Sequence, residues 1–113
     1  MPNVSEQPLY VAKAELFRAL GHPTRIRILE LLVERERAVS ELMAAIGVEA
    51  SSLSQHLAVV RHTGLAISTR VGNTVVYRVS SPRVADFLAT ARSVLAETLG
   101  RSAETLAHLD DAP

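Results

Sequence analysis

The chain has 113 residues, 48% hydrophobic and 21% charged, with twelve basic and twelve acidic side chains and no cysteine. That length suits one domain, and the composition fits a globular protein rather than a disordered one. Disulfides, thiolate metal sites and cysteine nucleophiles are excluded, and no apolar run approaches the roughly 20 residues that cross a bilayer. With no basic-then-apolar leader at the N-terminus, a cytoplasmic protein without membrane association is expected.

Residues 1–8, with Pro2 and Pro8, read as a flexible arm. Leu9, Ala12, Leu16, Phe17 and Leu20 recur at helical spacing, so a first helix is expected over Leu9–Leu20. Gly21-His22-Pro23 stops it, Gly as a C-terminal cap and Pro by biasing His22 away from helical angles. Thr24 is expected to cap a second helix, TRIRILELLVER. Its Ile26, Ile28, Leu29, Leu31, Leu32 and Val33 cover much of its circumference and place it at the centre of the core. A short third helix begins near Ser40 as cap and runs through Ile46 to Gly47.

The next stretch, ASSLSQHLAVVRHTGL, spans residues 50–65. Leu53, Leu57 and Val60 form an inward stripe of a fourth helix, closed by Gly64. Ser51, Gln55, Ala58, Val59 and His62 point the opposite way, with Ser52, Ser54 and Arg61 on the flanks. This outer face carries no acid, whereas solvated helices ordinarily mix Glu with Lys. Then the period becomes extended. AISTR and TVVYRV, separated by Val71-Gly72-Asn73, read as a β-hairpin with Arg70 near its tip and Arg78 on the return strand. Ser81 as cap and Pro82 in the first turn open a last helix, with a stripe of Val84, Phe87, Leu88, Ala91, Val94, Leu95, Thr98 and Leu99. Gly100 weakens or ends it, and SAETLAHL has the composition to continue it.

The zero net charge is unevenly spread. Residues 1–49 hold six basic and seven acidic side chains, residues 50–85 four Arg and no acid, and residues 86–113 two Arg and five acids. An acid-free window fits a polyanionic partner; chance in a Ser/Thr-rich segment is the competing reading. Two short helices joined by a Gly turn and followed by a basic hairpin make a winged helix-turn-helix, mainly α in the order α-α-α-α-β-β-α. That motif lays the outer face of the fourth helix in the major groove of double-stranded DNA, where a Glu would be repelled by phosphate.

ALGHPTRIRILELL, VSELMAAIGVEASSLSQHLAVVRHTGL and RVGNTVVYRV together resemble the ArsR family of bacterial transcriptional regulators, over about residues 9–99. The most specific pieces are His22-Pro23-Thr24-Arg25, Ser54-Gln55-His56-Leu57 and the wing ending in Tyr77-Arg78. The resemblance implies a homodimer through the first and last helices, binding an inverted-repeat operator as a repressor. Composition agrees: a chain this small buries only about 60–65% of its unfolded surface, and one core cannot cover the apolar stripes of both end helices. The expected plan is an arm at 1–8, a DNA-binding and dimerisation domain at 9–99, and a partly helical or disordered extension at 100–113.

Gln55 is the candidate base reader, since its amide can pair with N6 and N7 of adenine. Ser51, Ser52 and Ser54 are short donors for phosphates or base edges, unless they merely cap the helix. His56, beside the inward stripe, suits packing or a phosphate; His62 points outward where the helix leaves the groove. Arg61, Arg70 and Arg78 are phosphate or minor-groove candidates, Arg70 the best placed, against the alternative that they only solubilise the surface.

Many ArsR-type proteins release DNA on binding metal, and here the sequence departs from that pattern. Ala38-Val39-Ser40-Glu41-Leu42 lacks the family's third-helix thiolates, and the last helix has Asp86 and Glu97 but no His. Two carboxylates without imidazole suit a transition metal poorly. Glu104, His108 and Asp110, near Asp111, form a weak divalent-metal candidate, for which an i,i+4 pair is the simpler reading. Met1-Pro2-Asn3 could add ligands through the amine. No cofactor is therefore expected, and the effector stays open between a metal at a non-Cys site, a small molecule and a co-regulator protein. An enzyme is disfavoured: there is no phosphate loop or HExxH, and the four His are scattered at 22, 56, 62 and 108. A winged-helix protein-interaction module without DNA binding would show acids or large apolar residues on the fourth helix's outer face, which has neither beyond Val59.

Overall fold

A computed structural model of the chain describes residues 7–100. The candidates Glu104, His108 and Asp110, the amino-terminal residues, most of the expected arm and the extension beyond Gly100 lie outside the described residues.

The elements are α1 (Leu9–Leu20), α2 (Pro23–Glu34), β1 (Arg37–Ala38), α3 (Val39–Ile46), α4 (Ala50–His62), β2 (Ala66–Val71), β3 (Thr74–Val79) and α5 (Arg83–Leu99). The order follows the sequence reading except for β1, whose two residues are too few to leave an alternating pattern. It pairs antiparallel with β3, Arg37 opposite Tyr77 and Ala38 opposite Val76, so the sheet order is β1-β3-β2. Ile28, Leu29, Leu31 and Leu32 of α2 meet Leu42, Leu53, Leu57, Val60, Ala66, Tyr77 and Val84 in one buried cluster. Val33 departs from the expected core set and stays exposed.

Helix starts depart most from expectation. His22, not Thr24, caps α2: its Nδ1 accepts the Thr24 N–H at 3.1 Å. Pro23 occupies the first helical position, where its missing N–H leaves nothing unsatisfied. α3 starts at Val39 behind Ala38 rather than behind Ser40. Glu41 reaches back to accept the Ala38 N–H at 3.1 Å, which is half of a capping box. Arg35 donates to the same carboxylate at 2.8 Å, and these two hydrogen bonds, Arg35's first, hold Glu41 below the usual carboxylate range. α5 starts at Arg83 behind Pro82 rather than directly behind Ser81, yet the Ser81 Oγ still accepts the Arg83 N–H at 3.1 Å.

Gly21 ends α1 without left-handed geometry, at φ −83°. Its use is steric: a Cβ there would stand 3.3 Å from the Arg18 carbonyl oxygen. Gly64, at φ 81°, closes α4 differently. The Leu65 N–H bonds Val60 O at 2.9 Å and the Gly64 N–H bonds Arg61 O at 3.0 Å, a Schellman motif that turns the chain directly into β2. The hairpin turn is tighter than expected. Val71 pairs with Thr74, so it belongs to the strand and only Gly72-Asn73 make the turn. Positive φ at Gly72 alone fits a type II′ turn.

Leu42 has no exposed surface, and α3 rests on α2 and β3 through it. Leu42→Ala should therefore lower unfolding free energy by about 2–5 kcal/mol, read as a lower urea midpoint at unchanged slope.

Candidate nucleic-acid interface

α4 is anchored by what it buries. Leu53, Leu57 and Val60 are buried, which leaves Ser51, Ser54, Gln55, Arg61 and His62 exposed along the other side, with Ser52, His56, Ala58 and Val59 half-buried between. The helix begins behind Glu49, which makes no side-chain cap, and the first intrahelical bond runs from the Leu53 N–H to Glu49 O at 2.9 Å. Ser51 and Ser52 therefore sit inside the first turn rather than capping it. The first-turn N–H groups of α4 have no acceptor within the helix and face outward from its positive end. Arg61 and His62 fall in the last turn, where a cation also suits the helix dipole.

The wing separates two arginines that the sequence treats alike. Arg70 pairs with Val75, one rung from the turn pair Val71–Thr74; Arg78 pairs with Ile67, one rung from the base pair Ala66–Val79. Paired residues share a face and successive ones alternate, so Arg70 lies on the face of Ala66, Ser68 and Tyr77, and Arg78 on the opposite one. Ala66 and Tyr77 are buried against the core, so the Arg78 face is the outer face of the sheet. Both arginines are exposed, Arg70 at the tip and Arg78 at the base.

His56 has a different setting. Its ring lies 4.2 Å from that of His22, tilted by 38°. Arg25 Nη1 stands 3.2 Å from His56 Nδ1, while its Nε and Nη2 donate to Ala19 O and Arg18 O at the end of α1. Burial, followed by the nearness of His22 and Arg25, pushes the His56 pKa below the ordinary histidine value. Of the two roles expected for His56, this geometry provides packing. The sequence offers Arg25 only as part of the His22-Pro23-Thr24-Arg25 motif and gives it no role, because its partners are His56, thirty-one positions away, and two main-chain carbonyls.

Elsewhere on the surface, Leu9, Tyr10 and Phe17 of α1 and Phe87, Val94, Leu95 and Leu99 of α5 are exposed. Phe17 and Phe87 meet at 5.9 Å between ring centroids, on the wall of an open apolar cavity of about 440 Å³ that continues along Val94 and Leu95. Among the described residues no three His, Cys, Asp or Glu side chains are grouped to hold a metal, and no helix is long and apolar enough to cross a membrane.

Residues 22–68 match the family described as bacterial regulatory protein, arsR family. The uncharacterized HTH-type transcriptional regulator Rv0081 of Mycobacterium tuberculosis H37Rv is 48% identical over 109 residues, 96% of this chain and 93% of its own. The chain belongs to the ArsR family. The crystal structure of Rv0081 superposes with a TM-score of 0.78 at 51% identity, covering 84% of this chain and 96% of that one. The homodimeric winged helix-turn-helix DNA-binding domain Mb0332 of Mycobacterium bovis superposes at 0.74 with 30% identity, covering 86% and 92%. The probable mercury resistance operon repressor of Streptomyces lividans is 34% identical over 84 residues, 74% of this chain and 67% of its own. This ArsR-family chain is thus a DNA-binding transcriptional regulator with a winged helix-turn-helix fold, and not an enzyme.

The His56 setting has a consequence for stability. Because its pKa is lowered on folding, the folded state binds fewer protons there than the unfolded chain. The contribution is complete above the unfolded value of about 6.5 and is lost as pH falls through that value toward the folded one. Urea midpoints should therefore drop between about pH 7.5 and 5.5, and drop less in His56→Gln.

Proposed function

We propose that the chain is a cytoplasmic repressor that binds an inverted-repeat operator as a homodimer, with α4 in the major groove and the wing along the flanking backbone. The observation that carries this reading is the exposed face of Ser51, Ser54, Gln55, Arg61 and His62, free of carboxylate within the helix and held outward by the buried Leu53, Leu57 and Val60. Gln55 reads a base, and Ser51, Ser52, Ser54 and the first-turn N–H groups position α4 on phosphates. Arg61 and Arg70 add backbone contacts from the helix end and the wing tip. Arg78, at the base of the ribbon and on its other face, contributes less. His56 is left to positioning.

Residues 9–99 form the DNA-binding and dimerisation domain, with 1–8 and 100–113 as extensions. The exposed apolar stripes of α1 and α5 are the dimer surface, which the homodimeric Mb0332 domain supports. Twofold symmetry then sets the two α4 helices about one DNA turn, roughly 34 Å, apart. A response to mercury through thiolates is not open to this chain, which has no Cys. An inducing cation would need His and carboxylate ligands. Nothing in this reading requires a co-regulator protein.

Selection of bound sites from random duplexes tests the proposal, and no binding of any duplex at micromolar protein and low salt would overturn it. On the selected site, Gln55→Ala should cost about 1–3 kcal/mol, with little change on random DNA. Arg70→Ala should reduce the slope of log affinity against log salt by about 1, and Arg78→Ala by less. Val94→Asp with Leu95→Asp should yield a folded monomer by sedimentation, with operator affinity lost.

A further inference from the structure

Arg25 stands where three helices meet. From the first turn of α2 its guanidinium donates to two carbonyls at the C-terminal end of α1, Ala19 O and Arg18 O, and approaches His56 Nδ1 on α4. Five donors in a rigid plane allow one arginine to hold all three, which the single ammonium of a lysine cannot do with the same geometry.

The protonation states follow from the partners. Arginine has no acceptor, so His56 Nδ1 must offer its lone pair. The Thr24 N–H likewise requires the lone pair of His22 Nδ1. The His56 ring is therefore neutral, with its proton on Nε2. The charged and titratable groups acting on His56 are His22 from the α1–α2 turn and Arg25 from α2, with no carboxylate among them. A proton on His56 Nδ1 would remove the acceptor and set an imidazolium against the guanidinium.

We propose that Arg25 is the positioning residue that fixes α4 relative to α1, and hence the two reading helices of the dimer relative to each other, and that protonation of His56 releases this hold. The proposal rests on the DNA-reading role given to α4 above. It makes a prediction opposite in sign to simple electrostatics. Acidification adds positive charge, which strengthens attraction to any phosphate backbone; loss of the Arg25 hold weakens only binding that needs α4 correctly placed.

The measurement is the ratio of affinities for the selected operator and a random duplex, at fixed salt, with the full chain, over pH values where circular dichroism shows it folded. From about pH 7.5 to about 5.5 the wild-type ratio should fall about tenfold while random-duplex affinity holds or rises. Arg25→Lys keeps the charge but not the fork, and its ratio should be low at both pH values; Arg25→Ala should match it where folded. His56→Gln supplies an acceptor that cannot titrate, with His22, His62 and His108 intact, so its ratio should be constant with pH whatever its level. A wild-type ratio that is flat or rises on acidification overturns the proposal, as does an Arg25→Lys ratio equal to wild type. A wild-type chain that binds no duplex at about pH 7.5 overturns the DNA-binding reading instead.

Discussion

The burial of Leu53, Leu57 and Val60 is the constraint on which the rest of this molecule depends. These side chains commit one edge of α4 to the cluster led by α2, and helical geometry then decides which residues must face away. Ser51, Ser54 and Gln55 are presented because leucines and a valine beneath them have nowhere else to go. The apolar core decides which face is presented and the Arg25 contact at His56 adds a polar hold at its edge, so Ser51, Ser54 and Gln55 remain available to meet a ligand. The same core fixes β3 through Tyr77 and β2 through Ala66, so the ribbon is referenced to the helix it flanks.

Charge acts on this frame by omission. Ion pairs do occur in the molecule, between Arg27 and Glu30, Arg35 and Glu41, and Arg37 and Glu34. All three lie on α2, β1, α3 and their connections, before α4 begins. The first two are exposed and add little stability, while Arg37 is largely covered; all three neutralise the arginines that take part. From Ala50 to Ala85 there is no carboxylate to do so. The positive charge there is modest and has no carboxylate in the same stretch to offset it, which is what a surface needs if it must exchange water and counterions for phosphate.

Much of this was legible in the sequence, for a physical reason: side chains repeating every three or four positions, or every second one, report the face that is buried. That located α1, α4, the two long strands and α5, and it placed Gln55 outward. What it missed is carried by few residues or by the main chain. β1 is two residues long. His22 caps α2 with a ring nitrogen, outside the usual set of short polar caps, and Glu41 serves Ala38 from three residues ahead. The alternation of β2 and β3 could be counted, but assigning Arg70 and Arg78 to opposite faces needed the register, which moved once Val71 joined the strand. Arg25 stood in a quoted motif, but its role was hidden for another reason, since two of its three partners are carbonyl oxygens that no side-chain pattern records.

The junction at Thr63, Gly64 and Leu65 carries one more implication. Three residues, held by the hydrogen bonds that close α4, tie the orientation of the ribbon to that of the helix. A change in the angle of α4 is thereby passed on to the ribbon beside it.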